Sequence, residues 1–123
     1  MSTRVFVYGT LKRGEENHHW LAGQHFVATA CTKPLYRMFD VAGYPGMVRT
    51  AIGLAIEGEV WEVSEEGMSQ LDLLEDTAGG EYERVAIELA GDLADQPVES
   101  YLYLRDVAGL CDVGTHWPPR NRR

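Results

Sequence analysis

Glu75 ends a stretch whose apolar residues recur at helical spacing, and it sits where a charge is least comfortable. At 100° per residue, Met68, Leu71 and Glu75 fall within roughly 60° of one another, so the carboxyl lies inside the apolar stripe. A helix dipole also disfavours negative charge in a last turn. Burial and dipole both raise a carboxyl pKa toward the range useful to a general base or acid. The bland alternative is a side chain that reaches past a frayed helix end into water, and periodicity alone leaves the two readings open. Asp72 and Asp76 fall on more solvated angles and read as surface residues.

The second stretch with chemical content is Val5-Phe6-Val7-Tyr8-Gly9-Thr10-Leu11-Lys12-Arg13-Gly14. Residues 4–8 read as a buried, central strand, because β-branched and aromatic residues dominate and nothing breaks the run. Gly9 stops it, leaving no side chain between the backbone amides and whatever docks there. Thr10 adds a hydroxyl, and Lys12, Arg13 and Gly14 open into a polar loop. A strand end that frees its N–H groups can bind a carboxylate or an oxyanion; an ordinary strand-to-loop turn would have the same residues.

Other reactive residue types carry less. His18, His19, His25 and His116 show no metal-ligand spacing. Cys31 and Cys111 have no CxxC and no electropositive setting in sequence, so they read as core or edge thiols rather than nucleophiles. Tyr44 and Pro45 have residue types that could form a cleft wall, but a plain turn is the favoured reading. Arg120, Arg122 and Arg123 read as a short solvated tail on an acidic chain.

These residues must be positioned by the elements around them. Residues 18–21 form one or two helical turns, with Asn17 as the cap and Gly23 beyond. Strands are expected at 25–32, 35–41 and 47–50, with a turn at 43–46, whereas 51–56 is ambiguous. Residues 57–63 read as a half-exposed strand. Ser64 is the clearest cap, with Glu65 and Glu66 in the first helical turn. That helix is expected to run to about Thr77, where Gly79-Gly80 stops it. Two strands at 82–89 and 98–105 are joined as a hairpin through 91–97. The first puts Val85, Ile87 and Leu89 on one face; the second puts Val98, Leu102 and Leu104 opposite Glu99, Tyr101, Tyr103 and Arg105. The rest is read as mostly irregular.

The 123 residues form a single domain (1–123), large enough for a core without staples. Eleven basic against nineteen acidic residues leave a net charge of −8, which argues against nucleic acid or anionic membrane as main partner. No apolar run reaches transmembrane length. The N-terminus enters a strand without a leader pattern, so a cytoplasmic protein is expected.

The run from Val5 to Gly14 with Asn17-His18, then Gly58-Glu59-Val60, then Leu71-Asp72-Leu73-Leu74-Glu75 with Tyr82-Glu83-Arg84, resembles the γ-glutamylcyclotransferase family. Within it the chain is most similar to the small γ-glutamylamine cyclotransferase, or AIG2-like, branch. The resemblance spans nearly the whole chain in the same order; the tail after Arg105 matches loosely, and Asp76-Thr77-Ala78-Gly79-Gly80 departs from the Gly- or Cys-Pro loop often found after the glutamate. It implies an α+β fold, a small mixed β-barrel flanked by a few short helices, with a cleft at the barrel mouth. It makes Glu75 the catalytic carboxylate and Tyr8, Gly9, Thr10 and Leu11 the loop that holds a γ-glutamyl group. By the same analogy Tyr82 lines the pocket, although a tyrosine opening a strand is more often packing. The implied reaction releases 5-oxoproline and a free amine from a small-molecule γ-glutamyl substrate and requires no metal or organic cofactor. A monomer or weak homodimer is expected. The reading from another class is a non-catalytic binding module for a small carboxylate on the same fold.

Overall fold

The structure, a computed structural model, describes residues 2–119. Arg120, Arg122 and Arg123 lie outside the described residues.

The apolar run near the N-terminus becomes β1 (Ser2–Val7), and it is central, as its composition predicts. It pairs antiparallel with β5 (Glu57–Ser64) and parallel with β7 (Glu99–Tyr103). Alternation along β1 feeds two cores. Phe6 faces one with Tyr36, Met38, Met47 and Val60, and Val5 and Val7 face the other with Leu21, Trp61 and Leu71.

The remaining strands are β2 (His25–Cys31), β3 (Tyr36–Asp40), β4 (Pro45–Arg49) and β6 (Tyr82–Ala86). Together they form one seven-stranded mixed sheet in the order β2-β5-β1-β7-β4-β3, with β6 paired to β7. No ladder among the described residues joins β2 to β3, so the sheet is an open path and the expected barrel closure is not part of its pairing. The C-terminal stretch spans some of that distance. It is irregular, yet Val113 donates to the Met38 carbonyl at 2.9 Å and Glu57 donates to the Thr115 carbonyl at 2.8 Å. The stretch thereby fastens β3 to β5, with Trp117 buried beneath it.

β7 has two edges, and the partners it accepts place the cavity. β6 fills one edge. The other is met by β1 at Glu99, opposite Val5, and by β4 at Leu102, opposite Met47. The end of β1 and the start of β4 therefore converge beside β7.

Helix α1 (Glu65–Leu74) begins as expected: Ser64 Oγ accepts from the Gly67 amide at 3.1 Å. Met68 and Leu71 are buried against the second core, a burial of about 1.5–3 kcal/mol each. The helix stops three residues earlier than expected, with Glu75 as its C-cap. Asp76 takes a left-handed conformation (φ 55°), and the amides of Asp76 and Thr77 bond back to the carbonyls of Leu73 and Asp72. This is a Schellman ending with aspartate where glycine is usual, a conformation aspartate tolerates. The glycine pair lies beyond it.

Other expectations are corrected. β5 is mostly buried rather than half-exposed, because β1 and β2 flank it on both sides. Pro45 and Gly46 belong to β4; the turn before it spans 41–44. Residues 18–21 form a 3₁₀ turn, and the Asn17 side chain makes no cap hydrogen bond to it. On β7, Tyr101 is buried and Leu104, beyond its end, is exposed. Both cysteines are free and exposed, so neither is a core thiol; Cys31 lies on edge strand β2.

Candidate active site

A cavity of about 280 Å³ opens where β1 and β4 converge, and the six residues singled out from sequence, Tyr8, Gly9, Thr10, Leu11, Glu75 and Tyr82, all line it. The structure brings them together from β1, the loop after it, the end of α1 and the start of β6.

Gly9 is required by contact. A Cβ there would stand 2.4 Å from Pro45 Cγ and 2.9 Å from Cδ, so any side chain would push β1 and β4 apart. The loop that follows is held by its carbonyls. Those of Gly9 and Thr10 accept from the Lys12 and Asn17 amides, and Leu11's lies 3.0 Å from His18 Nδ1. Asn17 Nδ2 donates to Thr10 Oγ1 at 3.0 Å, which is where the expected cap residue is engaged. The amides of Gly9, Thr10 and Leu11 donate to no protein group among the described residues. Successive unpaired amides form an anion-binding concavity.

Lys12 and Arg13 do not open into solvent together. Lys12 is buried and its Nζ donates to the Trp117 carbonyl. Arg13 donates its amide and Nε to Glu59 at 3.1 and 3.2 Å and lies 4.0 Å over the Phe26 ring. Glu59 is buried and also accepts from Trp61 Nε1 at 3.1 Å. Burial pushes its carboxyl up, but the hydrogen bonds from Trp61 and Arg13 outweigh that and hold it below the usual range. Glu59 thus anchors the far end of the loop.

Glu75 contrasts with Glu59. Its carboxyl is half-buried on the cavity wall and forms no hydrogen bond or ion pair with protein among the described residues. Burial first, and the negative charge of Glu81 second, push it up from an ordinary 4.5 to about 7. The sequence reading that placed this carboxyl in the apolar stripe matches its partial burial.

Two cavity tyrosines are framework. Tyr8 donates its hydroxyl to the Tyr101 carbonyl at 2.7 Å and accepts from the Met47 amide at 3.2 Å. Tyr82 donates to the Pro45 carbonyl at 2.8 Å and packs edge-on against Tyr103. Burial pushes both phenols well above their usual range. For Tyr82 the packing and pocket readings are therefore both true.

Sequence reasoning missed Glu81 and Tyr101 and preferred a plain turn to a cleft wall for Tyr44 and Pro45; all four line the cavity. Tyr44 donates its hydroxyl to Glu81, and that bond, followed by burial, pushes the phenol up to about 12. The mixed face assigned to Tyr101 and the charge adjoining Tyr82 were the available signals. No Lys or Arg lines the cavity among the described residues. Among the described residues no group of three or more His, Cys, Asp or Glu has a metal-holding arrangement, and no helix is long and apolar enough to cross a membrane.

Fold and site define a small α+β protein with a cavity that joins unpaired amides to one unpartnered, raised carboxyl. The sequence pattern of the family described as "Gamma-glutamyl cyclotransferase, AIG2-like" matches residues 5–117, and the chain belongs to that family. A Vibrio cholerae protein named provisionally as a gamma-glutamylcyclotransferase is 43% identical over 88 residues, covering 72% of this chain and 74% of that one. The gamma-glutamylcyclotransferase family protein YtfP of Escherichia coli is 32% identical over 107 residues, 87% of this chain and 88% of its own. The solution structure of E. coli YtfP superimposes with a TM-score of 0.71 over 98% of this chain and 100% of that one. A mouse AIG2-like protein, at 24% identity, shares the fold with a TM-score of 0.73 over 99% of both chains.

Proposed function

We propose that this chain is a γ-glutamyl cyclotransferase that acts on a γ-glutamyl amine or amide, with Glu75 as its general base and then acid. The observation that carries the reading is the Glu75 carboxyl: a purely structural acid would be paired like Glu59, whereas Glu75 lines the cavity unpartnered with its pKa raised to about 7.

The chemistry follows from the substrate's own reach. In a γ-glutamyl amide the α-amino nitrogen can meet the γ-carbonyl carbon in the same molecule and close a five-membered ring. A cavity that binds the folded conformer supplies the proximity. Glu75 takes a proton from the α-ammonium, the freed amine attacks the γ-carbon, and a tetrahedral oxyanion forms. Glu75 returns that proton to the leaving nitrogen as its bond to carbon breaks, and the ring nitrogen gives up its second proton to the departing amine, which leaves as an ammonium ion. The products are 5-oxoproline and a free amine. With no Lys or Arg among the described residues of the cavity wall, the Gly9, Thr10 and Leu11 amides are the groups suited to the substrate carboxylate or the oxyanion. Tyr8 and Tyr82 contribute shape, their hydroxyl protons being committed to backbone carbonyls.

A panel of γ-glutamyl amines and dipeptides, assayed for 5-oxoproline, tests the proposal. Turnover of at least one member supports it. Binding of a γ-glutamyl compound without turnover would leave the carboxylate-binding module.

A further inference from the structure

Among the described residues Glu75 has no side-chain partner, and its place is set by the turn that carries it. That turn is fastened through Asp72. Its Oδ1 accepts from Tyr101 Oη at 2.7 Å, and its carbonyl accepts from the Thr77 amide and hydroxyl at 3.1 and 3.3 Å, closing the backbone around Glu75 and Asp76.

Tyr101 is buried, lines the cavity and is bonded at both ends. Its hydroxyl reaches α1, and its carbonyl accepts from Tyr8, the residue before Gly9. One residue on β7 thus ties both the strand leading to the amide loop and the helix end bearing Glu75.

We propose that Tyr101 and Asp72 are positioning residues, whose hydrogen bond sets the distance between the Glu75 carboxyl and the Gly9–Leu11 amides. The inference rests on the function proposed above. The competing explanation is an ordinary ion pair, because Arg84 also approaches Asp72 Oδ1 at 3.4 Å and Glu99 at 3.7 Å. Those contacts are longer and about a third exposed, and such solvent-screened pairs contribute little. A 2.7 Å hydroxyl-to-carboxylate bond is the stronger and more directional contact.

The groups facing Glu75 make displacement readable. The titratable groups that line the cavity with it are Glu16 in the loop after β1, Tyr44 before β4, Glu81 from the segment before β6, Tyr8 after β1, Tyr82 on β6 and Tyr101 on β7, and among the described residues none is basic. A carboxyl that swings out of this setting regains water and titrates lower.

The test uses Tyr101→Phe, Asp72→Ala, Asp72→Asn and Arg84→Gln in the full chain. Two readouts are taken: kcat and KM for 5-oxoproline release, and the Glu75 carboxyl titration by carbon NMR. Tyr101→Phe and Asp72→Ala are expected to lower kcat on the order of 10–100-fold with KM changed far less, since small displacements of a reacting group have costs of this size. In both, Glu75 should titrate below its wild-type value. Asp72→Asn keeps an acceptor oxygen while losing the charge, and should recover most of kcat. Arg84→Gln should match wild type. A melting temperature that falls in Tyr101→Phe and Asp72→Ala while kcat and the titration hold would overturn the proposal, as would loss of activity in Arg84→Gln equal to that in Asp72→Ala. If wild type releases no 5-oxoproline, the functional reading fails, and the titration by itself still decides the positioning claim. Should Tyr101→Phe fail to fold, Asp72→Ala against Asp72→Asn carries the same comparison.

Discussion

Glu81 and Glu75 line one cavity, and the charge of Glu81 reinforces burial in holding the Glu75 carboxyl at about 7. Removing that charge must lower the Glu75 pKa, since a like charge disfavours ionisation. Glu81→Gln is therefore expected to move the acidic limb of the kcat/KM profile to lower pH. The move should be smaller than the whole displacement from 4.5, because burial is the larger cause. A pH series from 5 to 9 on both proteins checks it.

The same raised pKa has a stability consequence of definite sign. A carboxyl that titrates at about 7 folded and near 4.5 unfolded costs nothing below 4.5, where both states hold the proton. The cost grows as pH rises through the interval and is complete above 7, at about 3 kcal/mol at most. Glu75→Gln should then be more stable than wild type at pH 8 and equal to it at pH 4. Denaturant unfolding at both pH values reads this directly.

Gly9 and Pro45 predict the next result. With a Cβ 2.4 Å from Pro45 Cγ, Gly9→Ala must shift β1 against β4 at the cavity. A loss of about 1–3 kcal/mol is expected, typical of overpacking, together with a large fall in kcat/KM. Unchanged stability and activity would show that the close approach is unimportant.

How much of this was legible depends on where each signal lies along the chain. The strand before Gly9, the Ser64 cap and the anomalous stripe position of Glu75 are local patterns, and the structure contains all three. Burial of β5 was not legible, because alternation reports the two faces of a strand and not its neighbours on either edge. The early end of α1 was missed because Asp76 rather than glycine takes the left-handed residue. The contact between Glu81 and Tyr44 was invisible for a different reason: it joins segments 37 residues apart in sequence. Family resemblance pointed to Tyr82 in the pocket, whereas its hydroxyl bond to Pro45 needed coordinates.

Glu59 gives a prediction about the loop rather than the base. Glu59→Ala would strip Trp61 Nε1 and Arg13 of their acceptor, at a cost of about 1–3 kcal/mol, chiefly for the buried Trp61 Nε1 left unsatisfied. With the far end of the loop released, KM should rise more than kcat falls. Steady-state kinetics beside thermal unfolding separates the two effects.

The central claim is that Glu75 moves the proton during intramolecular cyclisation. Its most direct test is 5-oxoproline release from a γ-glutamyl amine by wild type and Glu75→Gln, with folding verified for both. The account predicts turnover in wild type and a loss of at least about 100-fold in the variant, the lower range for removing a general acid–base group. Equal turnover in the two proteins would contradict it.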